Sequence, residues 1–291
     1  MSIPNLSTIL AKVRQLEIIS RRLSQHLFSG EYHSAFRGRG MTFREVRPYA
    51  DGDDPRFIDW NVSARYSQPF TKLFEEEREL HVMLLIDLSA STLPGSGQKS
   101  KQDLAAELAA VLAFAAISNQ DKVGAILFSD QIEKYIPLKK GRDHGMLLVR
   151  NILTAGNTRK KTDLTKALKY LNNTTRQKNI VFVISDFLDP NLKEAIQVTA
   201  RKHELIGIRV YDALDQNLPS LGLLPLIDSE TGTDCWIDSE HPHVKQAWEA
   251  AFFQHSAYCK EVFQQAGADL LHLRTDQDYV KVLQHFFIHR K

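Results

Sequence analysis

The stretch His81-Val-Met-Leu-Leu-Ile-Asp87-Leu-Ser89-Ala-Ser91 decides the fold. Its apolar run, 81–86, has the length of a strand and no polar alternation, so it reads as a strand covered on both faces. It ends in three small oxygen-bearing side chains at i, i+2 and i+4, which extended spacing directs to one side. Outward from it, short apolar segments alternate with helical ones. Helices are expected over 102–118, 164–171 and 192–201, and strands over 122–128, 179–185 and 205–211. This alternation predicts an α/β fold: a doubly wound, mostly parallel sheet with helices on both faces. Segment 81–86 should lie centrally, between 122–128 and 179–185. Such sheets place their sites at the carboxyl ends of the strands.

Further along, 223–228 and 234–238 flank Ser-Glu-Thr-Gly-Thr and read as a hairpin. A helix over 243–265, a strand over 269–273 and a helix over 279–289 close the chain. Upstream, Ile9, Val13, Leu16, Leu23 and Leu27 alternate with Arg14, Arg21 and Arg22 as one amphipathic helix ending at Gly30. Between Gly38 and Arg65 the sequence GRGMTFREVRPYADGDDPRFIDWNVSAR shows no sustained period, so turns and side-chain bonds should hold it. There Arg44, Arg47, Arg56 and Arg65 interleave with Glu45, Asp51, Asp53, Asp54 and Asp59, a set able to form bidentate Arg–carboxylate pairs. Phe43, Tyr49, Phe57 and Trp60 would anchor it. The segment reads as a self-paired clasp, with a partner-facing surface as the alternative. The expected organisation is a helix and signature segment over 1–80, packed on a main domain over 81–291 with a hairpin insertion near 223–238.

Bulk properties exclude several functions. The chain has 291 residues, 43% hydrophobic and 25% charged, so it can bury a full core. Its net charge of +2 supplies no global field to attract nucleic acid or an anionic membrane. The uncharged run 108–120 is shorter than the roughly 20 apolar residues of a membrane helix, and the N-terminus lacks a signal-peptide core. No membrane insertion is therefore expected. Cys235 and Cys259 are the only cysteines, which excludes a disulfide framework and points to a cytoplasmic protein with free thiols.

The carboxylate of Asp87 with the hydroxyls of Ser89 and Ser91 suits a hard divalent cation, since Mg2+ takes oxygen ligands and keeps several waters. Alternatively, Ser89 and Ser91 cap the following turn. Thr162, just before the helix 164–171, and Asp186, just after the strand 179–185, map to the same carboxyl edge. Asp163 reads as a helix cap and Asp189, before Pro190, as a turn residue.

This arrangement resembles the von Willebrand factor A fold and its metal-ion-dependent adhesion site. The resemblance implies that Asp87, Ser89, Ser91, Thr162 and Asp186 bind one Mg2+ or Mn2+ ion. The loop at Thr162 departs from the family's Gly-rich version by carrying Arg159, Lys160 and Lys161. A second likeness is more specific. The groups Gly38-Arg-Gly40, Phe43-Arg-Glu45-Val-Arg47-Pro-Tyr49, Gly52-Asp53-Asp54-Pro-Arg56-Phe-Ile58-Asp59-Trp60 and Ser63-Ala64-Arg65 are similar to the signature of the bacterial domain-of-unknown-function family fifty-eight. That resemblance implies work beside a MoxR-type AAA+ ATPase in a maturation or chaperone-like role.

Other motifs carry less. His241-Pro-His243 has no third metal ligand at a useful spacing and reads as a solvated turn. No G-x-x-x-x-G-K-[ST] loop or G-x-S-x-G elbow occurs, which leaves no motif for an intrinsic P-loop ATPase or a serine hydrolase. In the adhesion-site family the ion's open position takes an acidic side chain from a protein client. The expected function is thus a metal-dependent protein-interaction module without catalytic residues. The alternatives are a metal-dependent hydrolase, which needs a general base beside the ion, and a structural scaffold whose metal site is vestigial.

Overall fold

In the computed structural model, described over residues 42–75, 79–89, 99–155, 161–189, 191–227 and 234–290, a small unit within 36–80 is separate from the unit containing 81–291. In the small unit, β1 (Thr42–Pro48) pairs antiparallel with β2 (Phe70–Glu75). A 3-10 turn, Pro55–Phe57, and helix α1 (Trp60–Tyr66) connect them. The sequence led us to expect no regular structure here. The strand period of β1 is hidden because its register slips between Phe43 and Glu45, a bulge that breaks the alternation.

Side-chain bonds fix the connection. Arg47 Nη2 lies 2.7 Å from Asp53 Oδ1, and Arg56 forks onto Asp54, with Nη2 to Oδ2 at 2.6 Å. Asp59 caps α1 by accepting from the N–H groups of Asn61 and Val62, and Lys72 Nζ approaches it at 3.4 Å. Self-pairing is therefore observed. Trp60 stands 71% exposed. The side chains of Phe43 and Arg44, and the helix expected at the N-terminus, lie outside the described residues.

The larger unit contains β3 (His81–Asp87), α2 (Lys101–Ser118), β4 (Lys122–Phe128), β5 (Ile132–Lys139), α3 (Arg142–Thr154), α4 (Leu164–Thr174), β6 (Ile180–Ser185), α5 (Leu192–Lys202), β7 (Glu204–Tyr211) and α6 (Ala213–Gln216). It continues with β8 (Leu223–Ile227), β9 (Asp234–Asp238), α7 (Pro242–Ala266), β10 (Asp269–Arg274) and α8 (Tyr279–His289). The main sheet has the order β10-β7-β6-β3-β4-β5, and β8 with β9 forms a separate antiparallel hairpin. β3 is central, parallel to β4 on one side and β6 on the other. β5 closes one edge antiparallel to β4.

β5 and α3 are absent from the sequence reading. β5 is an edge strand in which Ile136 alone is buried, and its charges and Pro137 hide any strand period. Its close approach to β4 depends on Gly124, where a Cβ would stand 2.7 Å from the Ile136 carbonyl oxygen.

The strands are apolar on both sides because helices cover both. Met83, Leu85, Val181 and Val183 face a cluster with Leu164, Leu168, Ile196 and Phe263 from α4, α5 and α7. Phe182, of opposite parity in β6, meets Phe287 of α8 edge-on. Helix α2 is buried over most of its surface, its many alanines permitting close packing, and begins with a Ser100–Asp103 capping box.

Candidate functional site

The chain places β4 and β5 on one side of β3 before returning to place β6, β7 and β10 on the other. The direction of sheet growth therefore reverses between β3 and β6, and a crevice at the carboxyl ends of those strands is where this architecture holds ligands. Register brings Ile86 opposite Ile184. The next residues along are Asp87 and Ser185, and period two puts them on the same face.

Ser185 Oγ donates to Asp87 Oδ2 at 2.7 Å and accepts from the Phe187 N–H at 3.0 Å. Asp87 Oδ1 accepts from the Ser89 N–H at 2.9 Å. Asp87 is 0% exposed and Ser89 is likewise buried. Burial pushes the Asp87 carboxyl upward from the ordinary carboxylate range and the charge of Asp186 adds to this, while hydrogen bonds from Ser185 and Ser89 oppose it.

Asp186 follows β6 and is 4% exposed. Its Oδ1 accepts from the Leu188 N–H at 3.4 Å, whereas its Oδ2 is buried without a hydrogen bond. The backbone just after it is strained: Phe187 has φ +60°, a conformation unfavourable for a bulky residue. The strain is held by the fully buried Phe187 ring, set edge-on to Phe263 with centroids 5.3 Å apart. Lys101, at the start of α2 and also 4% exposed, places Nζ 3.8 Å from Asp186 Oδ2 and 3.1 Å from Asp215 Oδ2.

The Thr162 loop is tied to the same edge, because the Asp163 N–H donates to the Ser129 carbonyl just beyond β4 at 2.9 Å. Thr162 Oγ1 is buried with no hydrogen-bond partner. Asp163 caps α4 as expected, accepting from the Lys166 N–H at 2.7 Å. Asp189 makes the expected local turn by accepting from the Asn191 N–H, and also accepts from the Thr165 N–H. His241 is exposed, as expected, and caps the start of α7, its Nδ1 accepting from the His243 N–H. Ser91 lies outside the described residues.

Asp87, Ser89, Asp186 and Thr162 thus share one sheet edge, with the charge of Asp186 close enough to act on the Asp87 carboxyl. Two buried oxygens, Asp186 Oδ2 and Thr162 Oγ1, lack hydrogen-bond partners, Lys101 Nζ standing 3.8 Å from the former, and buried polar atoms of this kind are ordinarily met by protein, water or an ion. A set of carboxylates and hydroxyls fits Mg2+ or Mn2+ and not a thiolate- or imidazole-seeking metal. Among the described residues no three His, Cys, Asp or Glu side chains cluster for metal binding. An ion here would therefore depend on hydroxyl and water ligands. Sequence reasoning passed over Ser185, Lys101 and Asp215. Ser185 was legible from its parity with Asp87 on neighbouring strands, but Lys101 and Asp215 meet across 114 residues without a local signal.

The family described as "Protein of unknown function DUF58" matches over residues 45–258. The chain belongs to the DUF58 family. Among DUF58-like relatives, the uncharacterized protein Rv1480 of Mycobacterium tuberculosis is 31% identical over 286 residues, covering 97% of this chain and 89% of its own length. The uncharacterized protein Mb1516 of Mycobacterium bovis matches to the same extent. The DUF58 chain has an α/β fold, a mostly parallel six-stranded sheet with helices on both faces. Similar solved structures include the conserved hypothetical protein BatB from Bacteroides thetaiotaomicron, with a TM-score of 0.48, 16% identity and coverage of 71% of this chain and 96% of that one. The SpRpn10 VWA domain has a TM-score of 0.39 and 14% identity, covering 71% and 94% of the respective chains. Among the described residues no helix is long and apolar enough to cross a membrane.

Proposed function

We propose that this DUF58 protein is a metal-dependent protein-interaction module, working with a MoxR-type AAA+ ATPase in protein maturation or complex assembly. The observation that carries this reading is the pair of buried carboxylates, Asp87 and Asp186, at adjacent strand ends, with the unpartnered Thr162 Oγ1 on the same sheet edge. Mg2+ or Mn2+ would be held by Asp87, Ser89, Ser91, Thr162 and Asp186. Two carboxylates and neutral hydroxyls leave such an ion with affinity for one more anionic oxygen, which an acidic side chain of a client supplies. Ser185 keeps Asp87 oriented, and the Phe187 turn keeps Asp186 at the crevice.

A second reading, a scaffold without metal, draws on Lys101. Its ammonium lies 3.8 Å from Asp186 Oδ2 and supplies a positive charge of the protein's own. The two readings separate in an affinity capture with the immobilised full chain in Mg2+ and in EDTA, followed by mass spectrometry. The interaction reading expects an AAA+ ATPase and a client retained only in Mg2+ and lost with Asp87→Asn. Equal capture in EDTA, or by the variant, would overturn it.

A further inference from the structure

Beside the carboxylate pair, α7 and the ends of β6 and β7 line an open pocket of about 300 Å3. Its walls include Arg209, Tyr211, Trp248 and Phe252, with Lys101 and Asp215 at its polar side. Arg209 projects from β7 and is 4% exposed. Its guanidinium rests on Phe252, 4.8 Å from the ring centroid, and near Tyr211 at 5.6 Å. Its Nε and Nη1 are buried with no acceptor, and no carboxylate among the described residues pairs with it within salt-bridge distance.

The other charges of the cavity are already answered. Lys101 serves Asp215 at 3.1 Å and Asp186 at 3.8 Å. His255 Nε2 lies 3.2 Å from the Asp186 carbonyl oxygen. Arg209 is left as the formal charge without a direct partner. A buried guanidinium normally has carboxylate or phosphate oxygens to bind, since leaving its donors unmet costs free energy. Trp248 is fixed by donation from Nε1 to the Leu214 carbonyl at 2.9 Å, so the wall facing a ligand is rigid as well as flat.

We infer that this cavity binds a small organic anion: a flat apolar body, seated against Trp248 and Phe252, carrying one carboxylate or phosphate group toward Arg209. The volume lies at the lower end of small-molecule pockets, which suits a ligand about the size of a single aromatic ring with its acidic group. The cavity adjoins the carboxylate pair through Asp186 but requires no metal, so the inference stands independently of the proposed function.

The test is ligand-observed NMR and calorimetry on the full chain in EDTA, with benzoate and phenyl phosphate as probes and benzamide and phenol as their uncharged counterparts. The expected result is binding of at least one anion at about millimolar affinity, the range small fragments reach, and at least about tenfold weaker binding of its counterpart. Preference between the two anions tells which acidic group the pocket takes. Arg209→Met, which replaces an unpaired buried charge with an apolar chain of similar length, should lose the preference for the anion. Should that variant fail to fold, the anion-to-neutral comparison on the unmodified protein decides alone. No binding of either anion, or equal binding of charged and neutral probes, would overturn the inference.

Discussion

Ser185 Oγ donates a 2.7 Å hydrogen bond to Asp87 Oδ2 across two adjacent parallel strands, joining residues 98 positions apart. The same oxygen accepts from the Phe187 N–H, so one hydroxyl ties the carboxylate of β3 to the strained turn that carries Asp186. Ser185→Ala removes both bonds and leaves a buried acceptor and a buried donor unmet. The expected cost is about 1–3 kcal/mol, seen as a lower midpoint in urea unfolding. A midpoint equal to that of the unmodified protein would show that the hydroxyl does not hold the turn.

Asp87→Asn and Asp87→Ala should differ. The Asn carbonyl still accepts from the Ser89 N–H and its amide can donate to Ser185 Oγ, while one of two neighbouring negative charges is gone. In EDTA the Asn variant should melt at or above the temperature of the unmodified protein. The Ala variant leaves two donors without an acceptor and should lose about 1–3 kcal/mol. Equal losses in the two variants would contradict the charge-repulsion account.

The fold predicts unequal tolerance at two glycines. At Gly124 an added Cβ meets the backbone oxygen of Ile136 at 2.7 Å, so β5 itself would have to move. At Gly207 the obstacle is the Phe263 ring at 2.5 Å and Leu270 Cδ1 at 2.8 Å, side-chain atoms with some room to yield. Both alanine variants should be destabilised, Gly124→Ala more, within the roughly 1–3 kcal/mol of overpacked sites. Denaturant titration showing Gly124→Ala unaffected would contradict the β4–β5 pairing.

Acid sensitivity follows from His203, which is buried between α4, α5 and the start of β6. Its Nδ1 accepts from the Asn179 N–H at 3.2 Å, and its Nε2 lies 3.3 Å from Thr175 Oγ1, whose own proton goes to the Leu171 carbonyl. The neutral ring with the proton on Nε2 satisfies every one of these bonds, and a second proton would face the Asn179 N–H. Burial, followed by the charges of Lys202 and Lys178, lowers its pKa from 6.5 to about 4. The unfolded chain then binds more protons between these values, so the contribution of His203 is complete above about pH 6.5 and fades as pH falls toward 4. His203→Gln should be destabilising near neutral pH, with a penalty that shrinks on acidification through that window. Urea titrations of both proteins across the range check this, and a constant penalty would contradict it.

The central strands were legible because a parallel sheet buried on both sides writes its strands as uninterrupted apolar runs, as in 81–86 and 179–185. Positions one residue beyond them, Asp87 and Asp186, stood out for the same reason: polar atoms begin where the sheet ends. Edge elements were not legible, since β5 carries adjacent charges and a proline with no regular alternation and β1 is interrupted by its bulge. Lys101, Arg209 and Asp215 escaped because their roles depend on neighbours brought together by the crossover connections. In sequence, Lys101 looks like one more surface cation and Arg209 like an interruption in a strand.

The account rests most heavily on a divalent ion at the ends of β3 and β6. The most direct measurement is a calorimetric titration of Mn2+ into metal-free protein, repeated with Asp87→Asn and with Thr162→Val. The expected result is one saturable site in the unmodified chain, weakened at least about tenfold in both variants, a change of about 1.4 kcal/mol or more. Absence of saturable binding in the unmodified chain, or equal binding by all three proteins, would contradict the site and return Asp87, Asp186 and Lys101 to a purely structural role.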